Sequence, residues 1–322
     1  MKKSTKMSLR IALLLCLAGL AIWLVSFIAV GFDITKISTV TYETKTYEVN
    51  EDFSDITIKI KTADLRFVQW EKEYSKIVCH EEARMKHTAA VQDGTLMITV
   101  KDTRKWYDNI GISFDDAELT VYLPKKQYEA LEIKSDIGDV EMPEGFAFET
   151  ATVETDTGDV DWQASVAGKL TIETDTGAVN VDTDILEKLE VKTSTGDVSV
   201  DSVKNALLVS VETHTGEIRL NNIECRIFSA KTDTGEIRIK DTVAGLNGTI
   251  LSQTGDVTLE DSDAVESLYI KTDTGDVTGT LLTGKLFQTE TDTGNVDVPA
   301  TNGYPCAIIT DTGDISIEVV GN

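Results

Sequence analysis

A glycine returns every 19 or 20 residues through the C-terminal half of this chain, and that period decides what the half can fold into. The positions are Gly138, Gly158, Gly177, Gly196, Gly216, Gly235, Gly255, Gly275, Gly294 and Gly313. Each sits in a Thr-Gly-acid element or a close variant, such as Asp156-Thr157-Gly158-Asp159-Val160. So steady a spacing over ten copies marks a repeat architecture, in which one unit stacks on the next.

Alignment on the glycine shows which columns are constrained. Two residues after it stands Val or Ile in every copy, from Val140 to Ile315. Four after it the residue is again mostly apolar (Trp162, Val181, Val200, Leu220, Ile239, Leu259). Seven and five before it are mainly apolar, as in Leu170 with Ile172 and Leu189 with Val191. Polar residues fill the gaps, which is the alternation of a strand with one buried face. Each copy therefore reads as strand, tight corner at the glycine, strand and a looser return. Val166, Ile185, Ile223 and Val243 in the returns suggest a short third side.

Fixed column identity makes sense only if like residues lie above like, in parallel coils about 4.8 Å apart. Right-handed crossovers are the rule for parallel strands. The fold class predicted is all-β: a parallel, right-handed β-helix-like solenoid of ten coils over residues 131–322, each coil resting on its predecessor. Two threonine columns flank the corner, one including Thr155, Thr174 and Thr193, the other running from Thr157 to Thr312. Their hydroxyls are expected to bond up the ladder.

Residues 33–130 lack the glycine period but still alternate, as in Ile56, Ile58, Ile60 and Leu119, Val121, Leu123. Asp93-Gly94 is a hairpin-type turn. This stretch reads as irregular β structure that caps one solenoid end, because stacked coils otherwise expose apolar surface and strand edges. At the other end, little follows the last strand, so that end reads as barely capped or covered by a partner.

Residues 11–32 carry no charged side chain and suffice to span a bilayer as a helix. Lys2, Lys3, Lys6 and Arg10 precede them, and Asp33 follows the exit at Gly31-Phe32. That asymmetry predicts a short cytoplasmic tail (1–10), an uncleaved single-pass anchor (11–32) and an extracytoplasmic remainder. A cleaved signal peptide is the rival reading, and it exports the same remainder. All 55 acidic residues lie beyond residue 32, against 30 − 4 = 26 basic ones, so the exported part carries 26 − 55 = −29. Such a surface repels nucleic acid and suits cations or basic partners. Cys79, Cys225 and Cys306 show no paired spacing; three buried thiols are favoured over one disulfide among them.

The N-terminal span, the Leu119-Thr120-Val121-Tyr122-Leu123-Pro124 strand leading to Ser135-Asp136-Ile137-Gly138-Asp139-Val140, and the serial Thr-Asp-Thr-Gly-Asp-Val copies together resemble a known bacterial family. It is the "putative adhesin" β-strand-repeat family of envelope proteins. The resemblance covers roughly residues 50 to 320. It implies a right-handed β-helix-like fold, a Gram-positive cell envelope, an occasional link to envelope-stress gene clusters, and no established enzyme activity.

Three constellations invite chemistry. Asp-Thr-Gly occurs six times, at Asp156, Asp175, Asp233, Asp273, Asp292 and Asp311, and matches the aspartic-protease signature. That enzyme needs two aspartates sharing a proton in a dry cleft, whereas these should line a wet corner. Acidic residues fill seven of ten positions two before the glycine and eight of ten one after it. Stacked carboxylates repel, and either solvent or Ca²⁺ can relieve that. A solvated edge is the favoured reading; the candidate calcium ligands are Asp156, Asp159, Asp175, Asp273, Asp276 and Asp292. A mixed-sign column four before the glycine (Lys134, Glu154, Lys231) is expected to form cross-coil ion pairs. His80 and His87 near Cys79, Glu81 and Glu82 offer metal-ligand types, but a polar strand is favoured. Trp70, Trp106, Tyr107 and Phe114 read as core of the cap, with a surface patch as the alternative.

No nucleotide loop or nucleophile-base set appears, so no enzyme is expected. The functional expectation is a membrane-anchored, adhesin-like interaction or scaffold module contacting an envelope protein or the cell wall. The alternative is an accessory sensor of envelope stress that binds cations or cationic peptides through its acidic face.

Overall fold

The computed structural model describes residues 3–29, 40–105, 116–185 and 187–320. The helix exit at Gly31-Phe32-Asp33, the aromatics Trp106, Tyr107 and Phe114, and Asn322 lie outside these residues. One helix, α1 (Lys3–Ala29), precedes an all-β remainder. Its Arg10–Ile28 segment has a mean hydropathy of 2.7 and is long and apolar enough to cross a membrane.

The remainder is a parallel β-solenoid of about nine turns. The strands before the glycine corners form one parallel sheet, and the shorter strands after them form a second. Register is strict: Leu170 faces Leu189, which faces Val209, and Val179 faces Val198, which faces Ile218. These columns are fully buried, each side chain contributing about 1.5–3 kcal/mol of burial. Near the first coils the filling is aromatic: Phe53, Tyr128, Phe148 and Trp162 follow one another at 5.8–6.0 Å between ring centroids. In the returns Val166, Ile185 and Ile223 are buried, and Val166 pairs with Ile185. Val243 is only half-buried, because Thr242 and Ala244 point inward beside it.

The corners need glycine for a reason beyond φ. At Gly196 (φ 152°) a Cβ would sit 1.9 Å from the Gly177 carbonyl oxygen of the preceding coil. The threonine column uses that same oxygen: Thr193 Oγ1 donates to Gly177 O at 3.3 Å, and Thr213 Oγ1 to Gly196 O at 3.1 Å. These hydroxyls are buried, so the bond keeps a polar group satisfied inside the stack.

At both ends the order of coils departs from the order of the chain. The N-terminal strands are β1 (Tyr42–Val49), β2 (Asp55–Thr62), β3 (Asp64–Trp70), β4 (Ser75–Glu82), β5 (Met85–Gln92), β6 (Thr95–Asp102) and β7 (Glu118–Pro124). The β2–β3 pair is itself a coil, with Ala63 at the corner. It lies between β6 and β7 on one side and the Gly138 coil on the other. Ala63 thus stands at the foot of the glycine column, and the sequence pattern did not reveal this copy. Antiparallel β4 and β1 extend one sheet beyond β7, and antiparallel β5 extends the other beyond β6. The β5–β6 turn is Asp93-Gly94, both at positive φ, as expected of a hairpin.

At the far end the expectation that each coil rests on its predecessor fails. The Gly313 coil (Tyr304–Thr312, Ile315–Val319) inserts between the Gly275 coil (Ser267–Thr274, Val277–Leu281) and the Gly294 coil (Lys285–Thr293, Val296–Asp297). The residues explain the exchange. Five before the glycine, every copy is apolar except Thr289. The Gly313 coil supplies Ile308, Ile315 and Ile317, all buried. The more polar coil takes the end, where its inner face is partly open, as terminal repeats require.

Candidate functional site

The corner edge carries both acid columns. In the column one after the glycine, each Asp serves the backbone. Asp159 Oδ1 accepts from Ala178 N at 2.7 Å and Asp276 Oδ1 from Asp314 N at 2.8 Å. The same bond runs from Asp139 N to Asp64 at 3.0 Å and from Asp159 N to Asp139 at 2.8 Å. This column is therefore a ladder of side-chain acceptors for N–H groups that the sheets leave unpaired. Where Glu replaces Asp the longer side chain turns to arginine, and Arg238 bridges Glu217 and Glu236 at 2.7 and 2.6 Å.

The column two before the glycine is free of that duty. Asp156, Asp175 and Asp292 are exposed, and half-buried Asp273 meets Lys271 at 3.1 Å. The register sets Asp156 beside Asp175, but Asp273 and Asp292 are separated by Asp311, which the sequence did not single out as a cation ligand. The six expected ligands thus divide between two columns. The Asp-Thr-Gly aspartates lie along a wet edge without a dry cleft, so protease geometry is not formed by them. Lys134–Glu154 at 2.7 Å and Lys231–Glu212 at 2.5 Å are the expected cross-coil pairs, each of small value because exposed.

Near the cap the acids converge. Asp64, Glu118, Asp139, Glu141, Asp159 and Asp161 line a groove of about 210 Å³, with Arg66 as its one lining cation. The sequence missed this groove because Asp64 belongs to the copy cornered by alanine, and Glu118 to an out-of-order strand.

Two further surfaces stand out. Trp70 is half-buried and packs with Tyr74 and Tyr122 at 4.9 and 5.4 Å, with Lys72 and Lys76 over the rings. At the distal tip, the two strands of the Gly294 coil have partners on one side only among the described residues. Leu286 and Val296 there are 51% and 44% exposed. Lys285, at the start of that coil, is buried, forms an ion pair with Asp263 and donates to the Ala264 carbonyl at 2.7 Å.

Of the metal-type residues near residue 80, alternation along β4 sends Cys79 and Glu81 inward and His80 and Glu82 toward the surface. His87 enters from β5, so Cys79, Glu81 and His87 are buried together. Burial, with Glu81 next, pushes the Cys79 thiol up to about 12. Burial raises the Cys225 and Cys306 thiols to about 12 as well. All three thiols are free.

A family model described as Toastrack DUF4097 matches residues 53–239 and 207–322. No curated protein matches the chain. Among solved structures, a putative lipid binding protein from Parabacteroides distasonis is 16% identical, covering 87% of this chain and 98% of its own, with a TM-score of 0.42. A putative adhesin from the same species is 10% identical (86% and 98% covered, TM-score 0.41). Another from Bacteroides fragilis is 15% identical (86% and 97% covered, TM-score 0.35).

Proposed function

The chain belongs to the Toastrack DUF4097 family, and from that premise we propose that it is a non-enzymatic, adhesin-like interaction module of the cell envelope, tethered by α1 with its solenoid outside the membrane. One observation carries the reading: among the described residues the Gly294 coil offers strand edges with partners on one side only, flanked by exposed Leu286 and Val296, at the distal end of the stack. A partner strand laid along such an edge gains main-chain bonds, and flanking apolar side chains give it specificity. The partner class is another envelope protein.

A photo-reactive residue placed at position 286 or 296 in intact envelopes is expected to give a discrete protein adduct. A mid-rod control at Asp182 should give none. Equal labelling at all three positions, or none at the tip, refutes tip recognition.

A second reading rests on the acidic groove near the cap. Its carboxylates and the −25 net charge favour cations or cationic peptides, as an envelope-stress sensor would need. Calcium at Asp156, Asp159, Asp175, Asp273, Asp276 or Asp292 belongs to this reading. Peptide binding that weakens with salt and with Asp139→Asn and Glu141→Gln supports it; binding indifferent to both refutes it.

A further inference from the structure

The cap of the solenoid holds a group of side chains that packing alone does not explain. Cys79 and Glu81 are fully buried on β4, and His87 is 3% exposed on neighbouring β5. One donor atom from each lies within 4.8 Å of the other two. Glu81 Oε2 accepts from His87 Nδ1 at 2.8 Å and also from the His87 backbone N–H. The other two polar atoms, Glu81 Oε1 and His87 Nε2, are buried with no hydrogen-bond partner.

Folded proteins seldom leave such buried atoms bare without a purpose. A buried carboxylate is harder still to leave under-compensated. Lys45, opposite Cys79 on β1, is exposed and lies over the Tyr47 ring at 4.5 Å.

We propose that Cys79, Glu81 and His87 form a binding site for one zinc-class divalent ion. Sulfur, nitrogen and oxygen donors together select a borderline-soft metal and disfavour calcium, which takes oxygen alone. A tetrahedral ion with bonds of about 2.0–2.3 Å needs its ligands roughly 3.3–3.8 Å apart. Donor atoms now within 4.8 Å reach that spacing by small side-chain rotations. A thiolate and a carboxylate cancel the two charges of the ion, so the filled site is neutral in a dry interior. A water completes the fourth position. The ion would clip β4 to β5 where one sheet passes to the other, closing the end of the stack.

The test uses the full chain in detergent, unfolded with a chelator and refolded with zinc or cobalt(II), so that metal enters before burial. The expected result is one ion retained per chain through dialysis and a higher melting temperature. Cobalt should also give a thiolate charge-transfer absorption. Cys79→Ser should abolish that absorption and weaken retention at least tenfold, Glu81→Gln and His87→Phe should weaken retention, and Cys225→Ser and Cys306→Ser should change neither. Failure to retain metal overturns the proposal. So does retention without a thiolate band, which would put the ion on the acidic edge. The cobalt spectrum of the unsubstituted chain decides even if a variant fails to fold.

Discussion

Replacing Gly216 by alanine places a methyl carbon 2.0 Å from the Gly196 carbonyl oxygen and 2.5 Å from its carbon. Both are backbone atoms held by ladder bonds, Gly196 N to Thr215 O and Gly216 N to Thr234 O at 2.9 Å. No rotamer can relieve the contact; the coils must separate or the corner must turn. Holding a non-glycine residue at φ 155° costs about 1–3 kcal/mol. Forcing extra volume into packed surroundings adds about 1–3 kcal/mol. Separation also weakens the Thr213 bond to Gly196 O at 3.1 Å, worth about 1 kcal/mol. The expected loss is therefore about 3 kcal/mol or more. Gly94 isolates the dihedral contribution: it has φ 79° but nothing within 4 Å of its would-be Cβ. Gly94→Ala should cost only about 1–2 kcal/mol. Urea unfolding of both variants, followed by far-ultraviolet circular dichroism, measures the pair. If Gly216→Ala proves no worse than Gly94→Ala, steric contact between stacked corners is not what fixes the glycine.

Thr213→Val keeps shape but loses the bond to the Gly196 carbonyl; a drop of about 1 kcal/mol is expected in the same urea titration. Asp263→Ala strands the buried Lys285 ammonium and should cost about 3–5 kcal/mol, read as a lower melting temperature. Glu190 is held below the usual carboxylate range by Lys169 and Lys188, Glu212 by Lys231, and Asp102 by Arg104. Because these folded values lie below the unfolded ones, their stabilisation is complete above about pH 5 and is lost as pH falls through the folded values. Urea midpoints between pH 7 and 3 should fall accordingly, and Arg104→Gln should blunt part of the fall. In a Cys16→Ser chain, thiol reagent at neutral pH should label none of the three buried cysteines until denaturant is added, when three label; native labelling would contradict their burial.

Most of the stack was legible because its columns are set by repetition: the glycine, the inward Val and Ile, and the threonine hydroxyls each mark one position in every copy. The reading failed where repetition failed. Ala63 hid the β2–β3 coil, because it stands at the foot of the column in the place that glycine takes in the later copies. The exchange of the last two coils was written in Thr289, a single polar residue in an apolar column, but its meaning depends on which face is covered. The acid columns looked alike in sequence, yet one accepts backbone N–H groups and the other faces water. The Cys79, Glu81 and His87 group required knowing that the chain turns from one sheet to the other between β4 and β5, so that their inward faces meet, which alternation within each strand does not carry.

The exchanged coils impose an order of events on synthesis. Residues 285–293 leave the ribosome before residues 304–312, yet their final seat lies beyond them. The earlier segment must either wait or dock provisionally on the Gly275 coil and then be pried off. From the Gly138 coil onward, winding can therefore proceed coil by coil as the chain emerges, until this last step. There the nascent protein closes in reverse, like a clasp threaded back under its own buckle.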